Sequence, residues 1–144
     1  MRMRRAIAAT RRFVVGDERG AAMVEFALVA GVIFIPLVFG TIEFGRLISA
    51  KTTITAAARE GVRFAIVRGS ASGAAGGAVA DSAAVANYVM ARTQLSPITV
   101  KSTWTGAKDP GDTVTVQVTY VYAPVVPVIS PKTITSISKQ NISY

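Results

Sequence analysis

Phe26 to Ile42 reads FALVAGVIFIPLVFGTI, seventeen residues without a charge, held between Glu25 and Glu43. As a helix it rises ~25 Å, the short end of what crosses a bilayer, with flanking side chains able to snorkel toward the headgroups. The competing reading is a core helix, but a rod that is apolar all round needs protein on every side. A chain of 144 residues has too little left over to supply it. The stretch therefore reads as a single membrane span. Pro36 has no amide proton for the carbonyl of Val32, so a weakened or kinked point is expected there, although proline is common in membrane helices in any case.

Toward the N-terminus lie Arg2, Arg4, Arg5, Arg11, Arg12 and Arg19, opposed only by Asp17 and Glu18, so the head as far as Gly20 carries half of the net charge of +8. Arginines abutting a span hold that end in the cytoplasm, which puts the C-terminal part outside. Nucleic-acid binding is the alternative use of such charge, but no stacking aromatic alternates with these arginines. The chain has no cysteine and no histidine. Disulfides, thiolate metal sites and the usual neutral-pH acid–base group are therefore absent, and eight carboxylates remain. No residue is assigned a catalytic, cofactor or metal role, and neither nucleic acid nor a small-molecule substrate is expected as a partner.

Beyond the span, Arg46 to Val67 keeps a helical period. Leu47, Ala50, Ile54, Ala57, Ala58, Gly61 and Ala65 form one narrow stripe of mostly small residues, with Lys51, Thr55, Arg59 and Arg63 opposite. The helix is expected to continue out of the membrane and pack this stripe on its own sheet. GSASGAAGG, Gly69 to Gly77, reads as a flexible loop with no phosphate-binding fingerprint. Asp81 or Ser82 then caps a second helix through about Gln94, with Val85, Tyr88, Val89 and Leu95 near one face. After Pro97 the period becomes two. Ile98, Val100, Ser102 and Trp104 alternate with polar residues, and Val114, Val116, Val118, Tyr120 and Tyr122 do so beyond the turn TGAKDPGD, which predicts an antiparallel hairpin. Pro124, Pro127 and Pro131 mark an extended connector, and TITSISKQNISY resumes strand composition. The fold class is thus α+β, with a sheet of about three strands covered by two helices. Asp109 and Asp112 flank a Pro-Gly turn and are explained by it.

Just ahead of the apolar run the chain reads ERGAAMVEFALV, with four residues between Gly20 and Glu25-Phe26. This resembles the cleavage site of type IV prepilin-like proteins, in which a membrane peptidase cuts after a glycine that follows a short basic leader. Carried over, the scissile bond is Gly20–Ala21, with Gly20, Ala21, Glu25 and Phe26 as the processing site and the span retained. An ordinary secretory signal is cut after its apolar segment instead, and Leu47-Ile48-Ser49-Ala50 is a poor site for that. An ionised acid costs roughly 2.5–3.5 kcal/mol at a membrane centre and less near the interface, so Glu25 calls for a partner. Cleavage would create one. The new amine of Ala21 lies ~6 Å of helix rise away, and the same amine on a neighbouring subunit serves equally. The plain alternative is an interfacial acid that suits a helix N-terminus.

Together GAAMVEFALV, TIEFGRLISAKTTITAAAREGVRFAIV and TVTVQVTYVYAPV resemble the TadE-like family, minor pseudopilins of the tight-adherence (Flp) pilus machinery. The likeness is strongest from Gly20 to Val67. It implies a pilin-like fold, processing by a prepilin peptidase, and contact with other pilin-like subunits, the assembly platform and membrane lipid. It further implies the bacterial inner membrane, or the cell exterior if the subunit enters a filament. The expected divisions are a cytoplasmic leader 1–20, a transmembrane helix 21–45 and an exported domain 46–144. Glu43 and Arg46, three apart, are placed to pair within a turn; they are either subunit contacts, with Glu25, or solvated charges. An unprocessed single-pass adaptor with an exported protein-binding domain is the alternative function.

Overall fold

The computed structural model describes residues 18–126 and 129–143. The basic head as far as Asp17 lies outside the described residues, as does Pro127 of the connector. The elements are α1 (Glu18–Ile66), α2 (Ser70–Ala74), α3 (Ser82–Arg92), β1 (Ile98–Trp104), β2 (Thr113–Tyr122) and β3 (Lys132–Asn141). The chain divides after Thr41 into two compact units.

The described part of the first unit is helix alone. Its large side chains are bare: Phe26 is 74% exposed, Ile33 59% and Leu37 60%. Among the described residues this is the one helix long and apolar enough to cross a membrane. α1 runs unbroken through Pro36. The proline removes only the bond its own amide would have given to Val32, and ladder bonds on either side carry the helix on.

In the second unit the sheet is an antiparallel meander in the order β1-β2-β3. Val100 pairs with Val118, and Val118 in turn with Ser136. Because strand side chains alternate in direction, Val114, Val116 and Val118 of the central strand all fall on one face, where they are fully buried. They meet Ile54 and Val62 of α1 and Val85 and Val89 of α3, also fully buried. The helical stripe is wider than its sequence period suggests, since Val62 and Ile66 join it while Leu47 is only half-buried. Thr55, expected on the solvent side, is half-buried, with Ser136 Oγ 3.2 Å from its hydroxyl.

Gly61 marks the closest approach of α1 to its cover. A methyl placed there would lie 2.8 Å from Val89 Cγ2 and 3.1 Å from Val116 Cγ1, well inside ordinary carbon contact. The absent side chain thus lets α3 and β2 both seat on α1. At the far end of this cover, Phe64 of α1 stacks on Tyr88 of α3 with ring centroids 4.2 Å apart. Arg68 lies over the Phe64 ring and Arg92 over the Tyr88 ring, at 4.1 and 3.9 Å, each guanidinium attracted by the ring's negative face.

Asp81 is the N-cap of α3, its Oδ1 accepting from the Ala84 amide at 2.6 Å. The segment from Gly69 to Gly77 is not the free loop that its glycines predict. Ser70–Ala74 forms a single helical turn, and the Ser70 amide donates to the carbonyl of Lys108 at 2.9 Å while its hydroxyl donates to Asp109 at 2.6 Å. Partners from the distant β1–β2 turn supply the order that local propensity lacks. In that turn the amides of Asp112 and Asp109 bond across to each other's residue, at 2.9 Å to the Asp109 carbonyl and 3.0 Å to Asp112 Oδ2. Both acids therefore serve the turn, as their place beside Pro-Gly suggests.

Candidate functional site

Gly20 and Ala21 lie near the N-terminal edge of the described part of α1. Ala21, Glu25 and Phe26 are exposed and Gly20 half-exposed. Glu25 stands one turn beyond Ala21, on the same side of the helix, at the edge of the apolar run. Among the described residues no basic group pairs with it.

Glu43, at the other end of the run, has a different environment. It is only 6% exposed, the one buried charged residue among those described. Tyr122, at the end of β2, donates its hydroxyl proton to Glu43 Oε1 at 2.5 Å, and the Glu43 backbone carbonyl lies 3.3 Å from the same hydroxyl. The Val125 amide donates to Oε2 at 3.2 Å. Arg46 Nη1 stands 3.7 Å from that oxygen, its side chain about half exposed and its guanidinium 5.8 Å from the Tyr122 ring centroid. Two donors and a cation thus satisfy a carboxylate that would otherwise be costly to bury. Burial, then the hydrogen bond to Glu43 and the carboxylate's charge, hold the Tyr122 pKa above its ordinary value of 10.0.

Glu43 and Arg46 therefore meet, and the acid is turned inward to tie the helix to the end of β2 and the start of the connector. Sequence reasoning named Glu43 and Arg46 but missed Tyr122 and Val125. The alternation of β2 does put Tyr122 on the same face as Val114, Val116 and Val118, which was the available signal. Nothing in the spacing joins positions 43 and 122. Of the Ala58-Arg59-Glu60-Gly61 motif, Ala58 and Gly61 are buried against the cover and Arg59 and Glu60 are exposed. Among the described residues no group of three or more His, Cys, Asp or Glu gathers to hold a metal ion.

The family model described as "TadE-like protein" matches residues 20–63. Its first residue is the glycine of the candidate cleavage site, and it takes in Glu25, the apolar run, Glu43, Arg46 and Gly61. It ends before the sheet begins. No curated protein matches the chain, and no solved structure does.

Proposed function

We propose that this TadE-like protein, pilus-associated by its family, is a minor pseudopilin cut by a prepilin peptidase after Gly20 and active in assembling a tight-adherence (type IVb, Flp) pilus. The observation that carries the reading is the coincidence of the family match with a glycine, four spacer residues and Glu25-Phe26 directly ahead of an exposed apolar helix. Hydrolysis of the Gly20–Ala21 bond would release the basic head and leave the helix in the inner membrane. It would also place a positive amine one turn from Glu25, giving that acid the partner it lacks among the described residues. An amine offered to Glu25 of a neighbour would favour association and set a stagger between subunits, which is the role of an assembly subunit and not of an enzyme.

Mass spectrometry of the protein purified from cells that hold the peptidase is expected to find Ala21 as the first residue. Gly20→Val should leave the leader attached. An intact 1–20 leader on the wild-type protein would end this reading and favour the unprocessed adaptor.

A further inference from the structure

We propose that the end of β2 and the described residues that follow it lie on the outer membrane–water interface, with Val121, Val125 and Ile129 in contact with phospholipid acyl chains and Arg46 and Lys132 at the level of the phosphates. The inference rests on Phe26–Ile42 spanning the membrane and not on removal of the leader.

The membrane edge on this side is set by Glu43, the first charged residue after the uncharged run. Its carboxylate accepts from Val125 and from Tyr122. The backbone at 125 is thereby held one hydrogen bond from the turn of helix where the span ends. Beyond it the Ile129 amide donates to the Val126 carbonyl at 3.0 Å, and β3 starts at Lys132, which pairs with Tyr122. Val121, Tyr122, Val125, Ile129 and Lys132 consequently share one end of the second unit, the end that Glu43 fixes beside the bilayer.

Along the outer sheet face, surface chemistry at this end differs from that further along. Val121 is 49% exposed, Val125 62% and Ile129 47%, while the same outer sheet face further along carries Thr113, Thr115, Gln117 and Thr119 from β2 and Lys101 and Thr103 from β1, with Ile137 the isolated apolar exception. Exposed aliphatic residues beside basic ones suit an interface whose depth is apolar and whose rim is anionic phosphate. Lipid is the occupant chosen because Val125 is hydrogen-bonded to Glu43, the residue that directly follows the uncharged run, and because basic residues border the aliphatic ones. The β1–β2 turn lies about 30 Å away along β2 and provides an internal control.

The chain has no cysteine, so single substitutions give unique labelling sites. Full-length Val125→Cys and Ile129→Cys, each carrying an environment-sensitive fluorophore, are reconstituted in phosphatidylethanolamine/phosphatidylglycerol vesicles, with Leu37→Cys in the span and Ala107→Cys in the β1–β2 turn as references. Labels at 125 and 129 should be blue-shifted, lose intensity with nitroxide-bearing lipids and resist iodide, as at 37; the label at 107 should show the opposite. Quenching by iodide alone at 125 and 129, with 37 still quenched by lipid, overturns the proposal while leaving the span intact. Protection from both quenchers means that protein covers the patch and overturns it as well. Failure of lipid to quench 37 removes the span, and the proposal with it.

Discussion

Two glycines on α1 should respond to alanine with opposite signs. At Gly45 nothing lies within 4 Å of an added methyl, so Gly45→Ala should gain the full helix-propensity difference, about 0.8–1 kcal/mol. At Gly61 the same methyl meets Val89 Cγ2 at 2.8 Å and Val116 Cγ1 at 3.1 Å. Those residues are 1% and 0% exposed, and valine has little χ1 freedom with which to step aside. Overpacking of this kind costs about 1–3 kcal/mol, against the same propensity gain, which leaves Gly61→Ala roughly 0–2 kcal/mol less stable. Gly61→Val adds branching to a site already too small and forfeits much of the gain, so it should be worse than Gly61→Ala. In a domain of about 100 residues each kcal/mol shifts Tm by about 4–8 °C. Trp104 is the sole tryptophan and sits half-buried in β1, so its fluorescence reports unfolding of the second unit directly in micelles. Stabilisation of Gly61→Ala equal to that of Gly45→Ala would refute the close approach of α1 to its cover.

Glu43→Ala and Tyr122→Phe should each cost about 1.5–3 kcal/mol, the range for hydrogen bonds to charged groups, and a double-mutant cycle by urea unfolding should show the pair strongly coupled; additive losses would mean the 2.5 Å bond contributes nothing. Arg46→Ala, which removes a half-exposed partner at 3.7 Å, should cost at most about 1 kcal/mol by the same measurement. The raised pKa of Tyr122 sets a pH signature. The folded state holds the phenolic proton more tightly than the unfolded state does, so the stabilisation is complete below pH 10 and is lost as pH rises through the folded value. Tyr122→Phe should flatten this alkaline fall in stability, and an unchanged slope would show that the phenol does not report it. Glu25→Ala should insert in the membrane normally yet impair association with other pilin-like subunits; wild-type numbers of assembled pili in that strain would count against pairing of the acid with a neighbour's amine.

The sequence made the strand boundaries legible because a half-buried strand writes its burial in every second residue. Thr113 to Tyr120 alternates cleanly, and Ile98–Trp104 and Thr113–Tyr122 are the strands observed. The start of α3 was readable to within one residue, Asp81 or Ser82, and Asp81 proves to be the cap because it needs only its own next few amides as partners. Long-range partnership was not. Ser70 finds Lys108 and Asp109, and a glycine-rich segment becomes a helical turn through contacts nearly forty residues away. Val62 and Ile66 escaped the stripe for a related reason, since α3 and β2 together cover a wider arc of α1 than one packing partner would.

The candidate site follows the same division. Gly20, Ala21, Glu25 and Phe26 are legible as a set because a recognition motif is read along the chain and needs no fold. Glu43 and Arg46 were legible as a pair, but the fate of the acid depends on where β2 ends, eighty residues later. Its inward turn separates the two glutamates that bracket the apolar run. Glu25 is exposed and, among the described residues, has no basic partner, whereas Glu43 accepts two hydrogen bonds and faces a cation. An acid already satisfied within its own chain has little to gain from a second subunit, whereas an exposed acid beside a lipid-facing helix gains much. If subunits recognise one another through a carboxylate, the energetics therefore select Glu25, and Glu43 instead ties the end of β2 and the start of the connector to α1.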